Sequence, residues 1–172
     1  MHSIQPMVYT KNENYERIEV EIGNHGNLVL DLMLLAQGVT MKEALNFAVL
    51  WKEIYNEESK QYVEFFLPSF KLNFLHSFKA ISHTLDLFED SVSDLSNVFP
   101  SWENAFLQDN YHFAQLDVHE HGVGSVSGDL QEQSLLNLDP HVVIKFDRPF
   151  LFTLRDKTSD SVLVQGYYAK NK

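Results

Sequence analysis

Alternating apolar and polar positions in the first part of the chain predict a β-hairpin. Ile18, Val20 and Ile22 alternate with glutamates, which indicates a strand buried on one face. The apolar run Leu28–Leu35 indicates a buried strand, and the Gly- and Asn-rich residues 23–27 between the two segments have turn composition. The acidic side chains of this region are expected to form a solvated face: Glu13, Glu16, Glu19 and Glu21.

Two segments carry the spacing of helices. Thr40 and Glu43 fit a capping box, and apolar residues at helical spacing follow to about Tyr55. A second, shorter helix is predicted between Phe78 and Leu85. The chain therefore mixes helices with strands, and the strands are in the majority.

Further strands are predicted in the rest of the chain. Residues 62–74 form a long candidate that contains Pro68, which has no backbone N–H to donate and therefore indicates a bend or a bulge. Residues 111–119 form another strand. Residues 142–154 are expected to form two strands with a tight corner at their single proline, and residues 161–166 form the last strand.

Composition and charge limit the classes of partner. The chain has 172 residues, 44% of them apolar, which suggests one domain with a core. Its net charge of -11 disfavours nucleic acids and anionic membranes, because both require a basic surface. The absence of Cys excludes disulfides and Cys-ligated zinc. No signal peptide or membrane helix is evident, which favours a cytosolic protein or a piece of a longer chain.

No motif of catalysis or cofactor binding is found. The sequence has no Gly-x-Ser-x-Gly elbow, and the Gly-rich residues 122–128 lack the Gly-Lys-Ser/Thr ending of a phosphate-binding loop. His112, His119 and His121 lie close together in the sequence, but two strand-spaced histidines are a weak signal for a metal. We therefore expect no enzymatic activity, no cofactor and no metal site.

Five segments, in order, resemble the C-terminal half of a serpin. The most specific is IKFDRPFLFTL at Ile144–Leu154, which is similar to the serpin signature, and HFAQLDVHEHG at 112–122 resembles the strand that leads into the reactive-centre loop. Shorter matches are VSDLS at 92–96, FFLPSFKL at 65–72 and the hairpin at 17–35. The resemblance implies an α+β, truncated serpin-like fold: a mainly antiparallel sheet, a few short helices and an incomplete central sheet, in one domain over residues 1–172.

The resemblance implies that residues 122–140 form a reactive-centre-like loop. Glu120, Gly122 and Val123 then lie at its hinge. Counting by the family's usual spacing from either end of the loop brackets the reactive bond between Leu135 and Leu138. The candidates are Leu135, Leu136, Asn137 and Leu138, and a Leu at this position suits a chymotrypsin-like or elastase-like serine protease.

The same resemblance covers only half of a serpin, which affects the expected mechanism. Serpins trap a protease by inserting the cleaved loop arm between two strands of the central sheet, and one of these strands belongs to the half that has no match here. Residues 111–120 then form an edge strand, beside which the loop arm can fold back as a hairpin or a partner can add a strand. We therefore expect a serine protease inhibitor by family that does not trap a protease alone.

Two alternatives to an inhibitor stay open. One is a non-inhibitory binding module, which receives a strand from a partner or forms a homo-oligomer, and the other is a fragment with no role. Family resemblance implies an extracellular protein, with the cytosol as the alternative.

Overall fold

The computed structural model describes residues 1–23, 26–40, 42–44, 46, 60–79, 110–119, 122–123 and 142–169. In these ranges the chain forms ten strands, which are, in chain order, β1 His2–Lys11, β2 Tyr15–Ile22, β3 Leu28–Leu35, β4 Lys60–Phe66, β5 Phe70–Ser77, β6 Tyr111–His119, β7 Gly122–Val123, β8 Val142–Lys145, β9 Phe150–Asp156 and β10 Ser161–Tyr168. Most of both predicted helices lies outside the described residues. No helix in the described part has the length and apolar character needed to cross a membrane.

The strands form two sheets. Seven strands follow the order β10-β9-β3-β2-β1-β4-β8, and three follow the order β5-β6-β7. Neighbours in the seven-stranded sheet pair antiparallel, except that β4 and β8 run parallel. The chain divides into two compact units, one of Met1–Phe70 with Asp117–Lys172 and the other of Lys71–Leu116.

The seven-stranded sheet curves back on itself. β8 and β9 stand five strand spacings apart in its order, which would be about 24 Å in a flat sheet. The chain between Lys145 and Phe150 spans at most about 18 Å when extended. Curvature closes this gap, and the rings of Phe146 and Phe150 meet at 5.2 Å between centroids. The predicted corner therefore joins the edge strand β8 to β9, the strand next to the opposite edge of one curved sheet.

An aromatic core fills one face of this sheet. Phe150 is fully buried and Phe152 is 2% exposed. Phe150 contacts the rings of Phe146, Phe70 and Tyr168 at centroid distances of 5.2, 5.7 and 5.0 Å. The phenylalanines after Pro149 therefore face the core, and their strand β9 lies in one sheet with β2 and β3.

Several local expectations hold, and others are wrong. β3 and β6 have the predicted bounds, and the capping box forms, because Thr40 N and Oγ1 both donate to Glu43 Oε2 at 2.8 Å. The long strand predicted around Pro68 is two strands, β4 and β5, in different sheets. The strand after the loop, β8, is not antiparallel to its neighbour; it pairs parallel with β4. β1 was not predicted at all.

The expectation that β2 is buried on one face is also wrong. Glu19 is only 6% exposed and Arg17 only 1% exposed, so the polar face of the strand is buried as well. The predicted solvated acidic face therefore does not extend to Glu19, and the reason is an ion-pair cluster described below.

Candidate functional site: the loop base and its surroundings

Strand β6 leads into the predicted loop. Its second half alternates, with Leu116 and Val118 buried, while Phe113 nearer its start is 63% exposed. β7 then pairs antiparallel with the end of β6, with Val118 opposite Val123 and His119 opposite Gly122. The first residues of the predicted loop thus fold back beside β6, which is one of the two arrangements expected for this strand.

The structure describes only part of the predicted site. Gly122 and Val123 of the hinge form β7, whereas Glu120 lies outside the described residues. The reactive-bond candidates lie outside them too: Leu135, Leu136, Asn137 and Leu138. The assignments of hinge and reactive bond remain predictions.

The far end of the predicted loop is anchored by β8. This strand is the last of the seven-stranded sheet and pairs on one side with β4, from Val63 opposite Val142 to Phe66 opposite Lys145. The pairing continues beyond β8, because Phe146 N donates to Phe66 O at 2.9 Å. Val143 is 51% exposed. The segment after the loop is therefore a short edge strand held by backbone hydrogen bonds.

Arg148 has a specific role at the corner between β8 and β9. Its Nε donates to the carbonyl oxygen of Leu35 at 2.7 Å, which satisfies a backbone acceptor at the end of β3. Its Nη1 lies 3.6 Å from Asp147 Oδ1, and that carboxylate is mostly exposed. The sequence gives no sign of this link to β3, because no local pattern connects residues 113 positions apart.

A shallow groove of about 390 Å³ lies beside this edge of the sheet. The ammonium group of Lys145 stands 5.3 Å from the centroid of the Phe66 ring, a cation–π arrangement. The imidazole of His2 also stacks on Phe66, at 4.5 Å between centroids, and its Nε2 is 2.8 Å from Glu64 Oε1. The lining is mostly apolar and holds no arrangement of nucleophile and base: Met1, Phe66, Leu67, Pro68, Lys145, Phe146 and Asp147.

A buried ion-pair cluster crosses β2, β3 and β9 on the sheet face opposite the aromatic core. Arg155 donates from Nε to Asp31 Oδ2 and from Nη2 to Glu19 Oε2, each at 2.8 Å. Arg17 also donates to both carboxylates, and Lys157 donates to Glu19. The cluster therefore ties three strands together through charge-assisted hydrogen bonds.

Burial dominates the electrostatics of this cluster. Asp31 is fully buried, and its removal from water raises the pKa of its carboxyl group above the ordinary value. The guanidinium groups of Arg17 and Arg155 pull this pKa back down, and the carboxylate of Glu19 raises it further. The only sequence signal for the cluster was an aspartate inside the apolar run of β3.

The histidines of β6 do not form a metal site with three or more ligands in the described structure. No group of three or more His, Cys, Asp or Glu side chains suited to a metal lies among the residues described. His112 instead contacts the rings of Phe74 and Phe78 at 5.8 and 5.9 Å. His121 lies outside the described residues, so the set considered from sequence is not tested.

Comparison with known proteins places these features in a family. A family model described as "Serpin (serine protease inhibitor)" matches residues 1–170. Serpin B10 of Mus musculus is 28% identical over 145 residues, which cover 80% of this chain and 36% of that protein. Probable serpin E3 of Danio rerio is 31% identical over 107 residues, 60% of this chain and 25% of that protein.

Solved structures show the same fold. A serpin from the trematode Schistosoma haematobium superposes with a TM-score of 0.78 at 19% identity, covering 98% of this chain and 45% of that chain. Tengpin, a thermophilic serpin in the native state, gives 0.78 at 15% identity, covering 99% and 46%. The predicted fold class is confirmed, and the chain spans less than half the length of the relatives and structures it matches.

Proposed function

The chain belongs to the serpin family, and from that premise we propose that residues 1–172 present their loop to a serine protease and are cleaved without trapping it. The resemblance to serpins implies a trap that inserts the cleaved loop arm between two strands of the central sheet. In the described residues, β6 has β5 on one side and β7 on the other. β7 is itself the start of the loop arm, so it is not the second wall of a slot. This observation carries the proposal.

The composition of the loop arm supports cleavage without insertion. Asp129, Gln131 and Glu132 follow the small residues of the arm. Burying a carboxylate without a partner is costly, so these side chains disfavour a buried inserted strand. We place the cleaved bond within Leu135–Leu138, with Glu120, Gly122 and Val123 at the hinge, and a chymotrypsin-like or elastase-like protease as the partner.

The second candidate function is binding through the three-stranded sheet. Leu75 on β5 is 68% exposed and Phe113 on β6 is 63% exposed, and exposed apolar side chains of this size favour a protein partner. A partner or a second copy that adds a strand beside β6 would extend the short ladder with β7. Homo-oligomerisation belongs to this alternative.

The proposal includes no catalytic activity of the chain itself and no cofactor. No nucleic acid or membrane partner is proposed, because the net charge is -11. The family resemblance supports an extracellular setting, and the cytosol is the alternative compartment.

Incubation with chymotrypsin and with elastase tests the proposal. We expect simple cleavage, mapped by mass to a bond between Leu135 and Leu138, and no denaturant-stable complex on a gel. A variant with Leu135, Leu136 and Leu138 all changed to Asp is the control, because it removes the apolar side chains that the protease pocket would accept. A covalent complex between the unaltered chain and either protease would overturn the proposal, whereas cleavage confined to other sites would reject the assigned bond.

A further inference from the structure

Two histidines face each other across β5 and β6 on one side of the three-stranded sheet. The His76 ring lies between Phe74 and Phe78 on the same face of the chain, at centroid distances of 5.9 and 5.6 Å. The His112 ring lies 5.8 and 5.9 Å from the same two phenylalanines. The backbone N–H of Phe78 donates to Asn110 O at 2.8 Å, which aligns the two strands. The shared contacts with both phenylalanines place His112 on the same face as His76, on the neighbouring strand.

This placement leaves both imidazoles available to an ion. Both side chains are exposed, and among the described residues neither ring takes part in a hydrogen bond or an ion pair. Side chains on one face of neighbouring strands have Cβ atoms about 4.5–5.5 Å apart when directly opposite and about 7–8 Å apart on the diagonal, and both distances are within reach of side chains of this length. The phenylalanines on either side restrict where the imidazoles of His76 and His112 can turn.

We propose that His76 and His112 form a two-histidine site for Zn²⁺ or a similar divalent transition ion. A neutral imidazole has one nitrogen that accepts a proton or a metal, and Zn²⁺ binds such nitrogens at about 2.0–2.1 Å. Imidazole ligands suit zinc, copper and nickel better than calcium or magnesium. Water completes the coordination shell. The site is distinct from the set considered in the sequence, because His119 lies seven residues after His112 and so on the other face of β6.

Two chemical consequences follow for binding at this pair. The ion binds only neutral imidazoles, so affinity falls as the pH drops and the two rings become protonated. With only two protein ligands, the open positions also accept a carboxylate or an imidazole from a partner. Neither consequence depends on the loop or on the protease.

Zn²⁺ titration of the whole chain, followed through the ring nitrogens of its histidines by NMR, tests the site directly. We expect the resonances of His76 and His112 to shift together, before those of the other histidines. In calorimetry, His76→Gln and His112→Gln should each weaken Zn²⁺ binding by at least about tenfold. Mutating only the hydrogen-bond partner of a metal ligand already lowers metal affinity by about 10–100-fold, so loss of a ligand itself should cost no less. His119→Gln is the matched control and should leave binding unchanged.

The outcomes are decisive in both directions. Earlier shifts at other histidines, or weaker binding in His119→Gln than in the His76 and His112 variants, would overturn the proposal. Unchanged affinity in both variants would do the same. If a variant does not fold, as judged by its circular dichroism, the NMR titration of the unaltered chain decides alone.

Discussion

Replacing Arg155 by Met should cost far more stability than replacing an exposed cation of the same sheet. Arg155 is 5% exposed and makes two charge-assisted hydrogen bonds of 2.8 Å, to Asp31 and to Glu19. Methionine is unbranched and uncharged, so it removes the charge but retains much of the apolar volume. The substitution leaves two buried carboxylates with fewer partners, and breaking a buried ion pair in this way costs about 3–5 kcal/mol.

The matched control is Lys11→Met. Lys11 pairs with Glu16 at 3.1 Å, but the lysine side chain is 60% exposed, and exposed pairs contribute about 0–1 kcal/mol. Urea unfolding followed by circular dichroism gives both free energies of unfolding, and equal slopes in denaturant confirm that only stability has changed. A loss in Arg155→Met below about 1 kcal/mol, or equal to that of Lys11→Met, would refute the reasoning.

The effect of Arg155→Met should depend on pH in a fixed direction. Burial raises the pKa of Asp31 in the folded chain above its unfolded value, so the folded state binds more protons between these two pKa values. The contribution of protonated Asp31 to stability is therefore present at low pH and is lost as the pH rises through the pKa of Asp31 in the folded chain. Removal of a guanidinium raises this pKa further, so the destabilisation by Arg155→Met should be smaller in acid than at neutral pH. A constant difference across this range would contradict the assignment.

Three other changes probe the core and the loop. Phe150→Ala should cost roughly 3–5 kcal/mol in a chemical melt, because the ring is fully buried, and a loss below about 1 kcal/mol would contradict that burial. Gly166→Ala should cost about 1–3 kcal/mol, because a Cβ there would meet the Phe152 ring, and Phe152→Leu in the same chain should recover part of it. Cleavage within Leu135–Leu138 should leave the thermal midpoint of unfolding nearly unchanged or lower it, because a loop arm that pairs beside β6 gains only hydrogen bonds of about 0.5–1.5 kcal/mol each. A rise of tens of degrees would instead show that the arm inserts between two strands. If that rise depended on protein concentration, the second strand would belong to another chain.

Local patterns predicted the strands whose apolar residues are close together in the sequence. The apolar run of β3 gives its bounds directly, since burial is what that pattern reports, and the predicted bounds of β6 also hold although only its second half alternates in burial. β1 was missed because its sequence does not alternate and contains Pro6. The structure accommodates this proline in the part of β1 that pairs with β4, while the pairing with β2 is confined to Val8–Lys11.

Contacts between segments far apart in the sequence determine the features that local sequence patterns could not predict. The alternating sequence around Glu19 is typical of a strand with this glutamate exposed. Glu19 is buried because Arg155, 136 positions away in the sequence, donates a hydrogen bond to its carboxylate. The parallel pairing of β8 with β4 likewise depends on contacts between distant segments. For the site, the pairing of Val118 with Val123 shows that the chain turns back beside β6 at the point where the sequence predicts a loop to begin.

The pairing of β3 with β9 has a consequence during synthesis. Asp31 and its partner Arg155 are 124 positions apart in the sequence. A ribosome that adds about 5–20 residues per second therefore synthesises Arg155 of β9 roughly 6–25 s after Asp31 of β3. During that interval one edge of an eight-residue apolar strand is open to other nascent chains, the kind of segment that aggregates. Asp31 is the single charge in that strand. Until Arg155 is synthesised, this carboxylate acts as a gatekeeper, because its charge makes association between unfinished chains costly.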